Sequence, residues 1–283
     1  MKPKQIKKFL LSEIELLSNN LTDYIRNPGR DFSRNRKLPF STIIKSIIGM
    51  GSKSLTNELI DSFNTSDLPS ASAFVQQRQK IKPEAFKAIF DGFTFRILKK
   101  RTKENMAVLA VDGTDIQIAT NPDDRTSYHS GTNGQKPYNL LHLNALYDLE
   151  KRLYTDVVIQ GKMNTNEHAA LQEMVDRSNI SKALLIADRG YESYNNMAHI
   201  QEKGWFFLIR IRDGTNGMKN GFELPDKEEF DVDISLKLTR KQTNEAKELL
   251  QKIKITINLF RTVHRLIFSR TNSEKMTLYN STN

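Results

Sequence analysis

Two aspartates, Asp112 and Asp188, each close a short apolar run and are followed within two residues by glycine. Ala107-Val108-Leu109-Ala110-Val111 leads into Asp112-Gly113, and Ala183-Leu184-Leu185-Ile186-Ala187 leads into Asp188-Arg189-Gly190. Runs without polar alternation read as strands buried on both faces. A carboxylate at the end of such a strand is costly to desolvate unless a cation or hydrogen-bond donors meet it. Two such strands side by side aim two carboxylates at one point, the arrangement that holds a divalent ion. One Asp-Gly step alone is a turn signal; the pair is what suggests chemistry.

Residues around the pair support weaker readings. Asp115, three positions past Asp112, reads as a turn or surface residue, with a positioning role as the alternative. Arg189 is offered either to a phosphate or to its neighbour Glu192. Tyr191 reads as packing for the following helix, with stacking on a base as the alternative. Asp123, Asp124 and Arg125 read as a solvated loop, and His142 and His168 as structural histidines without metal-ligand spacing.

The elements that must position these residues fall into three segments. Residues 1–106 read as a basic helical domain, with helices over 6–21, 40–50, 55–63, 70–80 and 83–100. Residues 107–212 read as a mixed sheet with flanking helices: strands over 106–112, 140–147, 154–159, 183–188 and 205–211, helices over 166–177 and 194–202. In the first of these helices Ala169, Ala170, Met174 and Val175 are expected to face inward. Residues 213–283 read as an incomplete strand-rich insertion and a divergent tail, with a strand over 230–238 and a short helix over 244–252.

Charge separates the segments further. The net charge of +10 lies wholly in residues 1–106, and the remainder sums to zero. That asymmetry suggests a polyanion-binding module joined to a second function, against the plainer reading of a solvated surface. The chain has no cysteine, which excludes disulfides and thiolate metal sites, so any metal must have oxygen or imidazole ligands. Neither a signal-peptide core nor a membrane-length apolar run is present, and the expected location is the cytoplasm, with no membrane partner.

Four words in order carry a resemblance: Phe32-Ser33-Arg34-Asn35-Arg36-Lys37-Leu38-Pro39-Phe40, Ser72-Ala73-Phe74-Val75-Gln76-Gln77-Arg78, Val111-Asp112-Gly113-Thr114 and Ala187-Asp188-Arg189-Gly190-Tyr191. Trp205-Phe206-Phe207-Leu208-Ile209-Arg210 follows as the next strand. Over nearly its whole length the chain resembles the DDE transposases of bacterial insertion sequences, in the IS-four branch. The resemblance implies an α+β fold, a helical N-terminal domain before an RNase H-like core. It implies metal-dependent cleavage and transfer of DNA strands, with Asp112 and Asp188 as catalytic metal ligands for Mg2+ (or Mn2+). Double-stranded DNA, as terminal inverted repeats and target, is the implied partner, with Arg34, Arg36, Lys37, Arg78 and Arg189 as contacts and a homodimer bridging two DNA ends.

The family's third acid sits in the word Tyr-x2-Arg-x3-Glu-x6-Lys, which residues 189–283 do not contain. The expectation is a chain truncated at its C-terminus and impaired in catalysis. A non-catalytic DNA-binding remnant or inhibitor is the alternative, and a stand-alone nuclease of the same fold a third reading.

Overall fold

A computed structural model describes residues 2–34, 37–64, 68–99, 106–132, 134–212, 218, 224–227, 230–236, 255–262 and 265–269. The chain divides into two compact units, Met1–Arg101 and Thr102–Asn283.

The first unit is helical: α1 (Pro3–Ser18), α2 (Phe40–Gly49), α3 (Leu55–Ser62), α4 (Ala71–Arg78) and α5 (Glu84–Leu98). Apolar residues at helical spacing meet in one core, where Ile43, Ile44 and Phe74 are fully buried beside Ile14, Leu59 and Ala85. Ser70 caps α4 by accepting from the Ala73 N–H at 3.2 Å. Pro83 stands at the cap position of α5, just before its first turn.

The second unit is built on a mixed sheet of nine strands among the described residues. In chain order these are β1 (Ala107–Ile118), β2 (Tyr128–His129), β3 (Tyr138–Asp148), β4 (Leu153–Gly161), β5 (Ala183–Ala187), β6 (Phe206–Arg210), β7 (Phe230–Leu236), β8 (Ile255–Thr262) and β9 (Arg265–Ser269). Helix α6 (Glu167–Arg177) lies between β4 and β5, and α7 (Tyr194–Glu202) between β5 and β6. The spatial order is β2-β3-β1-β5-β6-β9-β8-β7, with β4 on the far side of β3. Strand β3 runs antiparallel to β1 and β4, whereas β1, β5 and β6 are parallel. Three antiparallel strands followed by two parallel ones match the RNase H-like core that the resemblance implies.

The core of one face of this sheet is buried, through Leu109, Val111, Leu146, Leu185, Ala187, Phe207 and Ile209. Helix α6 packs on β3 and β4, and α7 packs on β6 and on α6. The inward residues of α6 are Ala170, Leu171, Met174 and Val175, with Leu171 taking the place expected of Ala169, which is exposed. The helix is capped by Asn166, whose side chain accepts from the Ala169 N–H at 3.0 Å.

One expectation changes. Strand β1 does not end at Asp112 but continues to Ile118, since β3 pairs with it over that whole length, Asp115 opposite His142 and Ile118 opposite Asn139. The Asp112-Gly113 step is therefore strand and not turn. Residues 213–283 were expected as an incomplete strand-rich insertion and a divergent tail. They supply β7, β8 and β9 to the same sheet, β9 pairing with β6 through Leu208 opposite Ser269. The helix expected over 244–252 lies outside the described residues.

Candidate active site

Parallel pairing of β1 and β5 sets Ala107 against Ala183 and Ala110 against Ile186. The same offset carried two residues further sets Asp112 against Asp188. Pairing of β5 with β6 sets Leu184 against Phe206 and Ala187 against Ile209, and one residue further sets Asp188 against Arg210. The offsets thus bring the three charged residues to one level across three parallel strands, inside β1, just past the end of β5 and at the end of β6. Neighbouring strands lie about 4.8 Å apart, which sets the scale of the spacing between the two aspartates. The row lies on the less buried face, because side chains alternate along a strand. Val111 and Ala187 point into the core, while Asp112 and Asp188 are exposed.

Local bonds hold the row. Asp112 Oδ1 accepts from the Gly113 N–H at 2.9 Å, and Asp188 Oδ1 accepts from the Arg189 N–H at 2.6 Å. Asp188 caps a 3-10 turn over Arg189–Tyr191 that carries the chain off the sheet. Arg210 Nη2 lies 2.5 Å from Asp188 Oδ1. A guanidinium already meets the carboxylate there, as expected of an acidic site that attracts cations. Exposed carboxylate oxygens in a pair are the donor set that Mg2+ or Mn2+ prefers. Among the described residues no group of three His, Asp or Glu side chains is arranged to hold a metal.

Behind the row, on the buried face, a second polar group crosses four elements. Lys162, in the turn after β4, lies 2.8 Å from Asp115 Oδ2, and His142 Nδ1 on β3 donates to Asp115 Oδ1 at 2.6 Å. His142 Nε2 lies 3.0 Å from Glu167 Oε1 at the start of α6, close but not aligned as a hydrogen bond. The Asp115 carboxyl is held below its ordinary range by the bond from Lys162, and then by that from His142. Tyr191 is buried, and its hydroxyl donates to Asn144 Oδ1 at 3.3 Å. Burial pushes this phenol's pKa up, and the negative charges of Glu167 and Asp112 push it further.

Asp112 and Asp188, the pair expected from the two apolar runs, stand in one row. Asp115 is neither in a turn nor idle, because the continuing strand turns it toward His142. Arg189 is exposed, and Glu192 engages Arg212 instead, accepting from its backbone N–H at 2.6 Å. Tyr191 packs inside. His168 is structural, its Nδ1 lying 2.9 Å from Asn196 Nδ2. Arg34, Lys37 and Arg78 are exposed in the helical unit, and Arg36 lies outside the described residues. Arg210 and Glu167 were not singled out from sequence. The only signal for Arg210 is its distance from Asp188, which matches the strand register and is legible only once that register is known.

A family model described as transposase DDE domain matches residues 103–280, beginning near the boundary between the units and crossing the segment expected to diverge. No curated protein matches the chain. A solved piggyBac transposase synaptic complex with hairpin DNA is similar at 11% identity and a TM-score of 0.47, covering 98% of this chain. This chain spans 62% of that one's length. With the family model matching well over half of its residues, the chain belongs to the DDE transposase family.

Proposed function

We propose that this chain is an insertion-sequence transposase of the IS-four branch, acting in the cytoplasm as a homodimer on the terminal inverted repeats of its element. The single observation that supports this reading is the row Asp112–Asp188–Arg210 across three parallel strands. Asp112 and Asp188 would hold Mg2+ or Mn2+, which supplies activation of a water or 3′-hydroxyl and stabilisation of the leaving oxygen at phosphorus. The chain's own residues do the rest. The N–H groups of Gly113 and Arg189 fix one oxygen of each carboxylate, leaving the side chains oriented before any ion arrives. Arg210, and Arg189 beside it, supply positive charge where a phosphate would approach. The exposed Arg34, Lys37 and Arg78 of the basic helical unit, together with Arg36, are assigned to the DNA backbone.

The 283 residues carry two of the family's three acids in recognisable words. By themselves they are expected to bind DNA and metal but to cleave slowly, which keeps the non-catalytic DNA-binding reading in contention. Titration with Mn2+ followed by thermal unfolding tests the site. The wild type is expected to gain stability with increasing Mn2+, and Asp112→Asn or Asp188→Asn to lose that response. Full retention of the response in either variant would refute the shared site.

A further inference from the structure

We infer that Glu167 is a positioning residue for the Asp112–Asp188 pair, acting on the backbone behind both aspartates at once. The inference rests on the metal-site reading above and adds a residue to it. Glu167 opens α6, where a carboxylate is favoured by the helix dipole. Its two oxygens lie near two glycines, one inside β1 and one in the turn after β5. A Cβ at Gly113 would lie 2.9 Å from Glu167 Oε1 and 2.7 Å from His142 Nε2, so a side chain there would have to displace both groups. A Cβ at Gly190 would lie 3.6 Å from Glu167 Oε2, in ordinary contact. The glycines that follow the two aspartates in sequence thus both lie close to this carboxylate.

Glu167 lies against a group that is itself held. His142 is 4% exposed, and its ring is fixed by Asp115, which Lys162 fixes in turn. This chain of contacts ties β1, β3, the turn after β4 and α6 to one point. Glu167 is not a third ligand in this arrangement, since no metal-holding group of three acids forms among the described residues. The role left to it is to set the spacing and direction of the two Asp-Gly segments through the main chain.

The test separates reach from charge, with Mn2+ alone as the probe and calorimetric titration of the full chain as the readout. Glu167→Gln keeps the length and loses the charge, and Mn2+ affinity is expected to stay within about threefold of wild type. Glu167→Asp keeps the charge but withdraws it by one methylene, and Glu167→Ala removes it; both are expected to weaken Mn2+ about tenfold or more, the usual effect of losing support behind a metal ligand. Glu167→Asp preserves the acidic helix start, so it serves if the alanine variant fails to fold. Weakening by Gln with wild-type Mn2+ affinity retained in Asp would show that charge alone matters and would overturn the positioning role. So would unchanged Mn2+ affinity in Glu167→Asp and Glu167→Ala alongside lowered metal-free stability, the outcome of a merely structural residue. If the wild type binds no Mn2+ that Asp112→Asn abolishes, the metal site itself fails and the inference falls with it.

Discussion

Asp188 has two claimants for one oxygen: the Arg189 N–H at 2.6 Å and the Arg210 guanidinium at 2.5 Å. The backbone donor orients the carboxylate, whereas the guanidinium competes with any metal for it. Removing the competitor should therefore favour the ion. Arg210→Gln is expected to reach half of its Mn2+-induced thermal shift at a lower Mn2+ concentration than wild type. A half-point at higher Mn2+ would mean that Arg210 supports the ligand more than it competes. Asp115 gives a second prediction, on pH. Its folded-state pKa is depressed by Lys162 and His142, so its contribution to stability is present above the ordinary aspartate value and lost as pH falls below it. Between pH 5 and pH 3, around the ordinary value of about 3.9, Asp115→Asn should lose less stability than wild type. Matching pH slopes in the two proteins would count against the bond network around His142.

Glu167 is only as well placed as α6, and that helix is tied down at its other end. Arg177 Nε and Nη2 each donate to an oxygen of Asp156 on β4 at 2.7 Å, a two-point fork. Asp156 is 9% exposed, so losing the arginine strands a largely buried carboxylate. Arg177→Ala is expected to cost about 1–3 kcal/mol of stability. Arg177→Lys should recover little of it, because an ammonium cannot make the fork; recovery to wild-type stability in chemical denaturation would argue that charge alone matters. This anchoring also explains what was legible in sequence. Strands β1 and β5 were readable because Val108–Val111 and Leu184–Ala187 have no polar alternation, and only burial on both faces suits such runs. The extension of β1 through Gly113-Thr114-Asp115 was not readable, because Asp-Gly favours a turn locally and only pairing with β3 overrides it. Glu167 was invisible for a related reason. An acid at a helix start is ordinary chemistry, and nothing local says that two glycines, 54 positions before it and 23 after, lie against its oxygens.

At the scale of the molecule, two units carry opposite electrostatic roles. The helical unit holds the positive excess, while the sheet unit is near neutral overall and gathers carboxylates at its strand ends. A polyanion should therefore meet the first unit by charge, and the second through metal and a few arginines. DNA affinity of the full chain is expected to fall steeply with salt, log K dropping by about 0.9 per log unit of salt for each phosphate neutralised. Replacing Arg34, Arg36 and Lys37 together with glutamine should weaken binding to every duplex sequence alike and flatten that slope by up to about 3. Asp112→Asn should leave the slope unchanged, since that carboxylate contributes no counterion release. A slope unaffected by the triple replacement would move the DNA contact away from this basic stretch. A selective loss for one sequence would instead mean that these side chains read bases.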